Sequence, residues 1–185
     1  VGSGYGAKFY RRKPEFASGT VSSDTFVYDF LKNNDADAIV LLNPTAPQIK
    51  ADDVDRGIEF FFEKKLDTLQ TVVENQTQAV FNGKPINFVE NEPWINSQNL
   101  VSVVTFSFVF MIWKRKSFIE GFERNGAGYL SGKVGYFPLS PLKSIDVDVE
   151  ADFALAEAVM DAQSKPSEPA YHEILYEKKL IGGQK

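Results

Sequence analysis

The sequence contains no cysteine, which removes a disulfide scaffold, a thiolate nucleophile and a cysteine-held zinc site from consideration. Its single histidine, His172, lies near the carboxyl end, so neither a Ser-His-Asp triad nor a multi-histidine metal centre is expected. Positive charge is scarce. Twenty Lys and Arg face 25 Asp and Glu, for a formal charge of -5. A protein that grips nucleic acid by its phosphates shows a basic stripe. This chain has only the short clusters Arg11-Arg12-Lys13 and Lys114-Arg115-Lys116, which read as solvated surface. No nucleic-acid partner is expected. Long hydrophobic runs are missing too. The longest, Val101 to Trp113, is too short to span a bilayer, and Ser102, Thr105 and Ser107 interrupt it. It reads as a buried strand. No basic segment followed by an apolar stretch opens the chain. Together with the lack of cysteine, this points to a cytoplasmic protein with no membrane partner.

What remains is an ordinary globular composition: 185 residues, 43% hydrophobic and 24% charged, which suits one domain with one sizeable core. Strand-like and helix-like segments alternate. Strands are expected at Ala7–Arg11, Ala38–Leu42, Thr68–Val73, Val101–Trp113, Lys133–Leu139 and Ser144–Asp148. Helices are expected at Thr20–Lys32, where Val21, Phe26, Val27, Phe30 and Leu31 recur at helical spacing. Others are expected at Asp52–Lys65, with an apolar stripe of Val54, Ile58, Phe61 and Phe62, at Ser117–Arg124 and at Glu150–Ala162. Asn82-Gly83 between Gln78–Phe81 and Pro85–Phe88 signals a β-hairpin. In the tail beyond Lys165 a helix is expected at Tyr171–Lys179. Such alternation argues for an α/β fold with a mostly parallel sheet and helices on both faces. Ligands in such folds sit at the carboxyl ends of the strands, which directs attention to the loops after Leu42 and around Asp146.

The sharpest chemical signal is Ser144-Ile145-Asp146-Val147-Asp148. On a strand, Asp146 and Asp148 would share a face. Two carboxylates that close suggest a cation between them. Magnesium prefers oxygen ligands and completes its shell with water and substrate phosphates, where it neutralises charge on a transferring phosphoryl group. The competing reading is an exposed strand end, with Asp148 near the cap of the next helix.

Four segments together resemble the sialic-acid cytidylyltransferases, the CMP-sugar synthetases. The first is Gly132–Phe137 followed by Ser144–Asp148 and Asp152–Glu157, similar to that family's Ile-Asp-Ile-Asp strand and acidic helix. The second is Leu41-Leu42-Asn43-Pro44-Thr45-Ala46-Pro47, similar to a Leu-Leu-Gln-Pro-Thr-Ser-Pro loop that lines the sugar site. The third is Arg12, Pro14–Ala17 and Thr20–Ser23, where the family borders its cytosine pocket. The fourth is Ser97-Gln98 ahead of the long strand, where the family carries an Arg-x-Gln; the Asn-Gly that follows in the family is missing from Val104–Ser107.

The resemblance implies a Rossmann-like nucleotidyltransferase that moves CMP from CTP to an acidic nine-carbon sugar and releases pyrophosphate. It implies Mg2+ on Asp146 and Asp148 as the catalytic pair, nucleotide contacts from Arg12, Thr20 and Ser22, and sugar contacts from Asn43, Thr45 and Gln98. It also implies a domain over residues 1–163 with a hairpin arm at 76–100 that joins a homodimer, and a separate tail at 164–185. Asn43 stands for a glutamine and is one methylene shorter, so a related acid such as legionaminic or pseudaminic acid, or another 2-keto-3-deoxy acid, is an alternative substrate. A non-catalytic binding or oligomerisation module is a further one. The family's Gly-Ser-Lys-rich phosphate loop has no counterpart here. Gly2-Ser3-Gly4-Tyr5-Gly6 has no strand before it and no clear helix after it. The sequence starts with Val1, and about 40 further residues upstream, one βα unit and part of a helix, are expected. A fold without that unit is expected to expose a sheet edge and apolar surface.

Overall fold

In the computed structural model, residues 2–17 and 19–164 are described; the expected tail helix at Tyr171–Lys179 lies outside them. Ala38–Leu42 (β1), Thr68–Asn75 (β2), Val103–Lys114 (β5) and Val134–Pro138 (β6) form one sheet in the order β1-β5-β2-β6. A separate two-stranded ribbon pairs Val80–Phe81 (β3) with Lys84–Pro85 (β4). The α-helices are Ser23–Asn33 (α1), Ala51–Glu63 (α2), Arg115–Asn125 (α3) and Glu150–Ser164 (α4). The fold is α/β, with a mostly parallel set of strands: β1, β2 and β6 point the same way, while β5 runs against both β1 and β2. The only parallel ladder among the described residues is therefore β2 with β6. The long strand β5 lies between β1 and β2, and its second half, Val109 to Trp113, is buried.

Helices cover both faces, and two clusters of side chains show how. On one face α1 supplies Val27 and Leu31, α3 supplies Phe118, and β5 supplies Met111 and Trp113. On the other, Phe61 of α2 packs with Leu66, Leu69, Phe110, Ile112, Phe137 and Leu139. Successive side chains of a strand point to opposite faces, so Phe110 and Ile112 serve one cluster while Met111 and Trp113 serve the other. Burial of these apolar side chains is the main favourable term in the fold, at about 1.5–3 kcal/mol each. Gly57 of α2 lets the helix approach the sheet: a Cβ there would lie 2.5 Å from the Phe110 ring.

Three expectations from sequence are corrected. Ala7–Arg11 is not a strand; it is irregular and exposed. The hairpin is much shorter than 78–88, with two-residue strands around Asn82 (φ 50°) and Gly83 (φ 76°), the left-handed pair of a tight turn. Most important, Ser144–Asp148 is not a strand. Residues 141–144 make a single 3-10 turn that begins at Pro141, and 145–148 join no ladder. The cause lies in where the amide groups go. Asp148 N–H and Val149 N–H both donate to the Asp152 carboxylate, at 3.1 and 3.0 Å, which caps the start of α4. Val147 N–H donates to the Thr45 carbonyl at 2.9 Å.

β1 is one edge of the sheet. Two of its apolar side chains, Val40 and Leu42, are 39% and 48% exposed. Among the described residues, no helix is long and apolar enough to cross a membrane.

Candidate functional site

A cavity of about 360 Å³ opens at the carboxyl end of β1, lined by Ser23, Phe26, Asn43, Phe108, Met111 and Tyr129 among others. Each wall has a local cause. Asn43 ends β1. Its N–H donates to the Val109 carbonyl at 2.9 Å, and its side-chain oxygen accepts the Thr45 N–H at 3.4 Å. This is the local turn that asparagine favours after a strand.

Ser23 and Phe26 come from the first turn of α1. Tyr129 comes from the loop after α3, and that loop is held unusually well. Asp24 accepts Gly128 N–H at 2.5 Å and Tyr129 N–H at 3.0 Å. The Tyr129 carbonyl accepts both Gln70 Nε2 and Trp113 Nε1 at 3.0 Å, and its ring meets Trp113 edge-on at 4.8 Å. Gly128 is required at this bend, since a Cβ would lie 2.5 Å from the Phe118 ring. Burial pushes the Tyr129 hydroxyl above the usual phenol range; a hydrogen bond with Ser23 lowers it, and the nearby Asp24 charge raises it. The hydroxyl is protonated at neutral pH and acts as a hydrogen-bonding group.

The loop after β1 and the Asp146 segment meet directly. The Thr45 hydroxyl donates to an Asp146 carboxylate oxygen in a short hydrogen bond, in addition to the backbone bond between Val147 and Thr45. Two further contacts fasten the neighbouring parts of these segments to α4 and α2. Gln48, 4% exposed, donates to the Ala156 carbonyl at 3.1 Å. Asp53, 1% exposed, takes Lys143 Nζ and an Arg56 guanidinium nitrogen on one oxygen, each at 2.5 Å, and Lys50 N–H on the other at 3.1 Å. Burial works against the Asp53 charge, but the Lys143 ammonium, the Lys50 amide and the Arg56 guanidinium outweigh it and hold the carboxyl below the ordinary range.

Asp146 is half-buried and Asp148 exposed. No group of three or more His, Cys, Asp or Glu side chains able to hold a metal occurs among the described residues. With 145–148 outside any ladder, Asp146 and Asp148 do not share a strand face, and their two carboxylates could hold only a cation that takes most of its shell from water and phosphate oxygens, not one in a closed structural site.

The remaining sequence candidates lie in three places. Arg12 lies over the Phe26 ring at 5.1 Å and lines a second, more apolar cavity of about 310 Å³. Phe26 and Leu41 line both cavities, so the two are neighbours. Thr20 and Ser22 sit on the approach to α1. The Ser22 and Thr25 hydroxyls share a hydrogen bond at 3.2 Å, and it is Ser23, one residue on, that reaches the first cavity. Gln98 lies on an exposed 3-10 turn, Ser97–Asn99, and lines neither cavity. Ser23, Phe108 and Tyr129 were not singled out from sequence. The detectable signal for Tyr129 was an aromatic residue directly after Gly126-Ala127-Gly128, whose glycines mark a tight bend.

No protein-family model matches the sequence, and no curated protein matches it significantly. Solved structures do match in fold. One is the 4-diphosphocytidyl-2C-methyl-D-erythritol synthase of Anaerococcus prevotii DSM 20548: TM-score 0.53 and 12% identity, over 77% of this chain and 68% of that one. Another is a CMP:2-keto-3-deoxy-manno-octonic acid synthetase complexed with CTP: TM-score 0.50 and 13% identity, over 78% of this chain and 70% of that one. At such identities the likeness is one of architecture, and the chain shares the Rossmann-like α/β fold of these structures.

Proposed function

We propose that this chain is a cytidylyltransferase that moves CMP from CTP to a sialic-type nonulosonic acid and releases pyrophosphate. The observation that carries the reading is the meeting of Thr45 with Asp146 at the carboxyl end of β1. Two segments that resemble the same enzyme family, far apart in sequence, come into contact beside a cavity, in the fold of two solved synthetases whose names carry CMP or a cytidyl group.

In this reading Asp146 and Asp148 hold Mg2+, which supplies charge neutralisation at the transferring phosphate when bound. The Thr45 hydroxyl and the Asp53–Lys143 ion pair fix the Asp146 segment in place. Catalysis of this kind rests on positioning and electrostatics, so a fastened loop is what the chemistry requires. Asn43 and Tyr129 offer hydrogen bonds to the acceptor. Arg12 and the start of α1 border the nucleotide. Gln98 reaches the acceptor only if the arm at 76–100 belongs to a second copy of the chain. That arm exposes Phe81 (69%) and Trp94 (74%), which a homodimer partner would cover.

The same chemistry on a 2-keto-3-deoxy octonic acid is the second reading, favoured by the fold likeness to that synthetase. The test is pyrophosphate release from CTP and Mg2+ with a panel of nonulosonic and octulosonic acids, on this chain and on one extended upstream in its reading frame. Release with a nonulosonic acid supports the proposal. Release with the octonic acid alone moves the assignment to the second reading. No release by either folded chain refutes both.

A further inference from the structure

β5 departs from a regular ladder beside the cavity. Gln70 pairs with Met111, but two residues on, Val72 pairs with Phe106, so β5 spends extra residues opposite Thr71. The bulge is firmly held. The buried Thr71 hydroxyl donates to the Phe110 carbonyl at 2.8 Å and accepts the Phe110 N–H at 3.2 Å, replacing ladder bonds that the backbone cannot make there. Asn43 N–H takes the Val109 carbonyl from the other side. Within the bulge Phe108 adopts φ 51°, a left-handed conformation that is unfavourable for a bulky side chain. Ser107 Oγ is shielded from solvent without a hydrogen-bond partner among the described residues. Strain and an unsatisfied hydroxyl are tolerated at one point of an otherwise well-ordered strand, and the result is to aim the Phe108 ring, 44% exposed, at the cavity wall. The ring does not stand alone. Phe106 meets it edge-on at 5.7 Å, and Tyr136 of β6 lies 5.9 Å from Phe106. All three rings are 40–50% exposed.

We propose that Phe108, with Phe106 and Tyr136, is an aromatic shelf that sets acceptor specificity by receiving the less hydroxylated face of an acidic sugar. The proposal rests on the cytidylyltransferase reading for its ligand class. The chemistry follows from the surface. Three rings offer apolar contact and no hydrogen-bond acceptor except the Tyr136 hydroxyl, so a face rich in hydroxyls is desolvated there without compensation. A face bearing deoxy carbons and acylamino methyl groups is not. Polar groups of the acid turn instead to Asn43 and Tyr129 across the cavity.

The test compares N-acetylneuraminate with N,N′-diacetyllegionaminate, which carries a methyl and an acylamino group where the former has hydroxyls. Binding is read by saturation-transfer difference NMR and titration on the full chain, with CTP and Mg2+ titrated in parallel. The variant is Phe108→Gly, which removes the ring and relieves the backbone, since glycine adopts this conformation freely. Its melting temperature is expected to equal or exceed that of the wild type. Phe108→Asn, also tolerant of the left-handed region, is the second variant. The expected result is tighter wild-type binding of the deoxy acylamino acid, with that preference falling about tenfold in both variants, the scale of one lost aromatic contact. CTP affinity stays unchanged. Equal binding of the two acids, binding of neither, or a preference unaffected in the variants overturns the shelf. Acid binding by the shelf without pyrophosphate release by either this chain or the extended one leaves the shelf standing and refutes the cytidylyltransferase reading instead.

Discussion

Replacing Asp53 by asparagine isolates one charge at the root of the candidate site. The carboxylate is 1% exposed and accepts three donors. Asparagine preserves the volume and one acceptor oxygen for Lys50 N–H, so the cap at the start of α2 survives. What is lost is the charge facing Lys143 and Arg56. A fully buried pair broken on one side costs about 3–5 kcal/mol. Here the Lys143 side chain is 30% exposed and Arg56 60%, so both cations regain water, and the Arg56 half is worth less than about 1 kcal/mol. The expected loss is therefore about 2 kcal/mol, or roughly 4–8 °C in melting temperature for a chain of this size. Urea unfolding followed by circular dichroism measures it. A double-mutant cycle with Lys143→Met should return a coupling of about 1–2 kcal/mol. The pH dependence supplies an independent check. Asp53 is held below its unfolded value of about 3.9, so its contribution is fully present above that pH and disappears as pH falls through the folded value. Wild type and variant should converge in strong acid. A loss below about 0.5 kcal/mol, or a difference that does not change between neutral pH and strong acid, would refute the reasoning.

Three other outcomes are expected. Gly57→Ala normally gains up to about 1 kcal/mol in a helix, but here the added methyl meets the Phe110 ring at 2.5 Å, so denaturant unfolding should show a net loss of about 1–3 kcal/mol. Asp146→Asn and Asp148→Asn should each lower pyrophosphate release on the order of 100-fold with unchanged melting; near-normal turnover in both removes the magnesium assignment. Phe81→Glu combined with Trp94→Glu should shift the chain towards monomer in sedimentation analysis without affecting thermal stability, and an unchanged mass argues against the arm as a dimer contact.

Much of the scaffold was legible in the sequence because its signals are local. Ala38–Leu42 is a continuous apolar run between polar neighbours, and the strand has those bounds. The stripe of Val54, Ile58 and Phe61 led to α2 because a helix repeats it every turn. The bulge of β5 was not legible: from Phe108 to Trp113 the run is continuously apolar and carries no alternation, so nothing marks where the register slips. Ser144–Asp148 alternates like a strand, yet alternation says nothing about whether a neighbouring strand exists, and Asp152 claimed the amides for a helix cap. At the site, Asp146 and Thr45 were legible as residue types, and the structure supplies their contact. Gln98 was not resolved by sequence in the same sense, because its exposed turn depends on what surrounds the arm. Tyr129 escaped because its position is set by Asp24, Gln70 and Trp113, all distant in sequence.

The central position of β5 has a consequence for how the chain assembles. β1 and β2 do not pair with each other; each pairs with β5, and Ala38 waits for Lys114. While the chain is being synthesised, the first two strands of the sheet and their helices are therefore complete long before any ladder can close between them. Residues Thr68–Val72, almost fully buried in the finished fold, stay accessible through that interval. Non-local pairing of this kind slows folding and prolongs exposure of unpaired strands. The strand that carries the bulge thus also sets the timetable: truncation before Val103 should leave helices and the short β3–β4 ribbon without the main sheet.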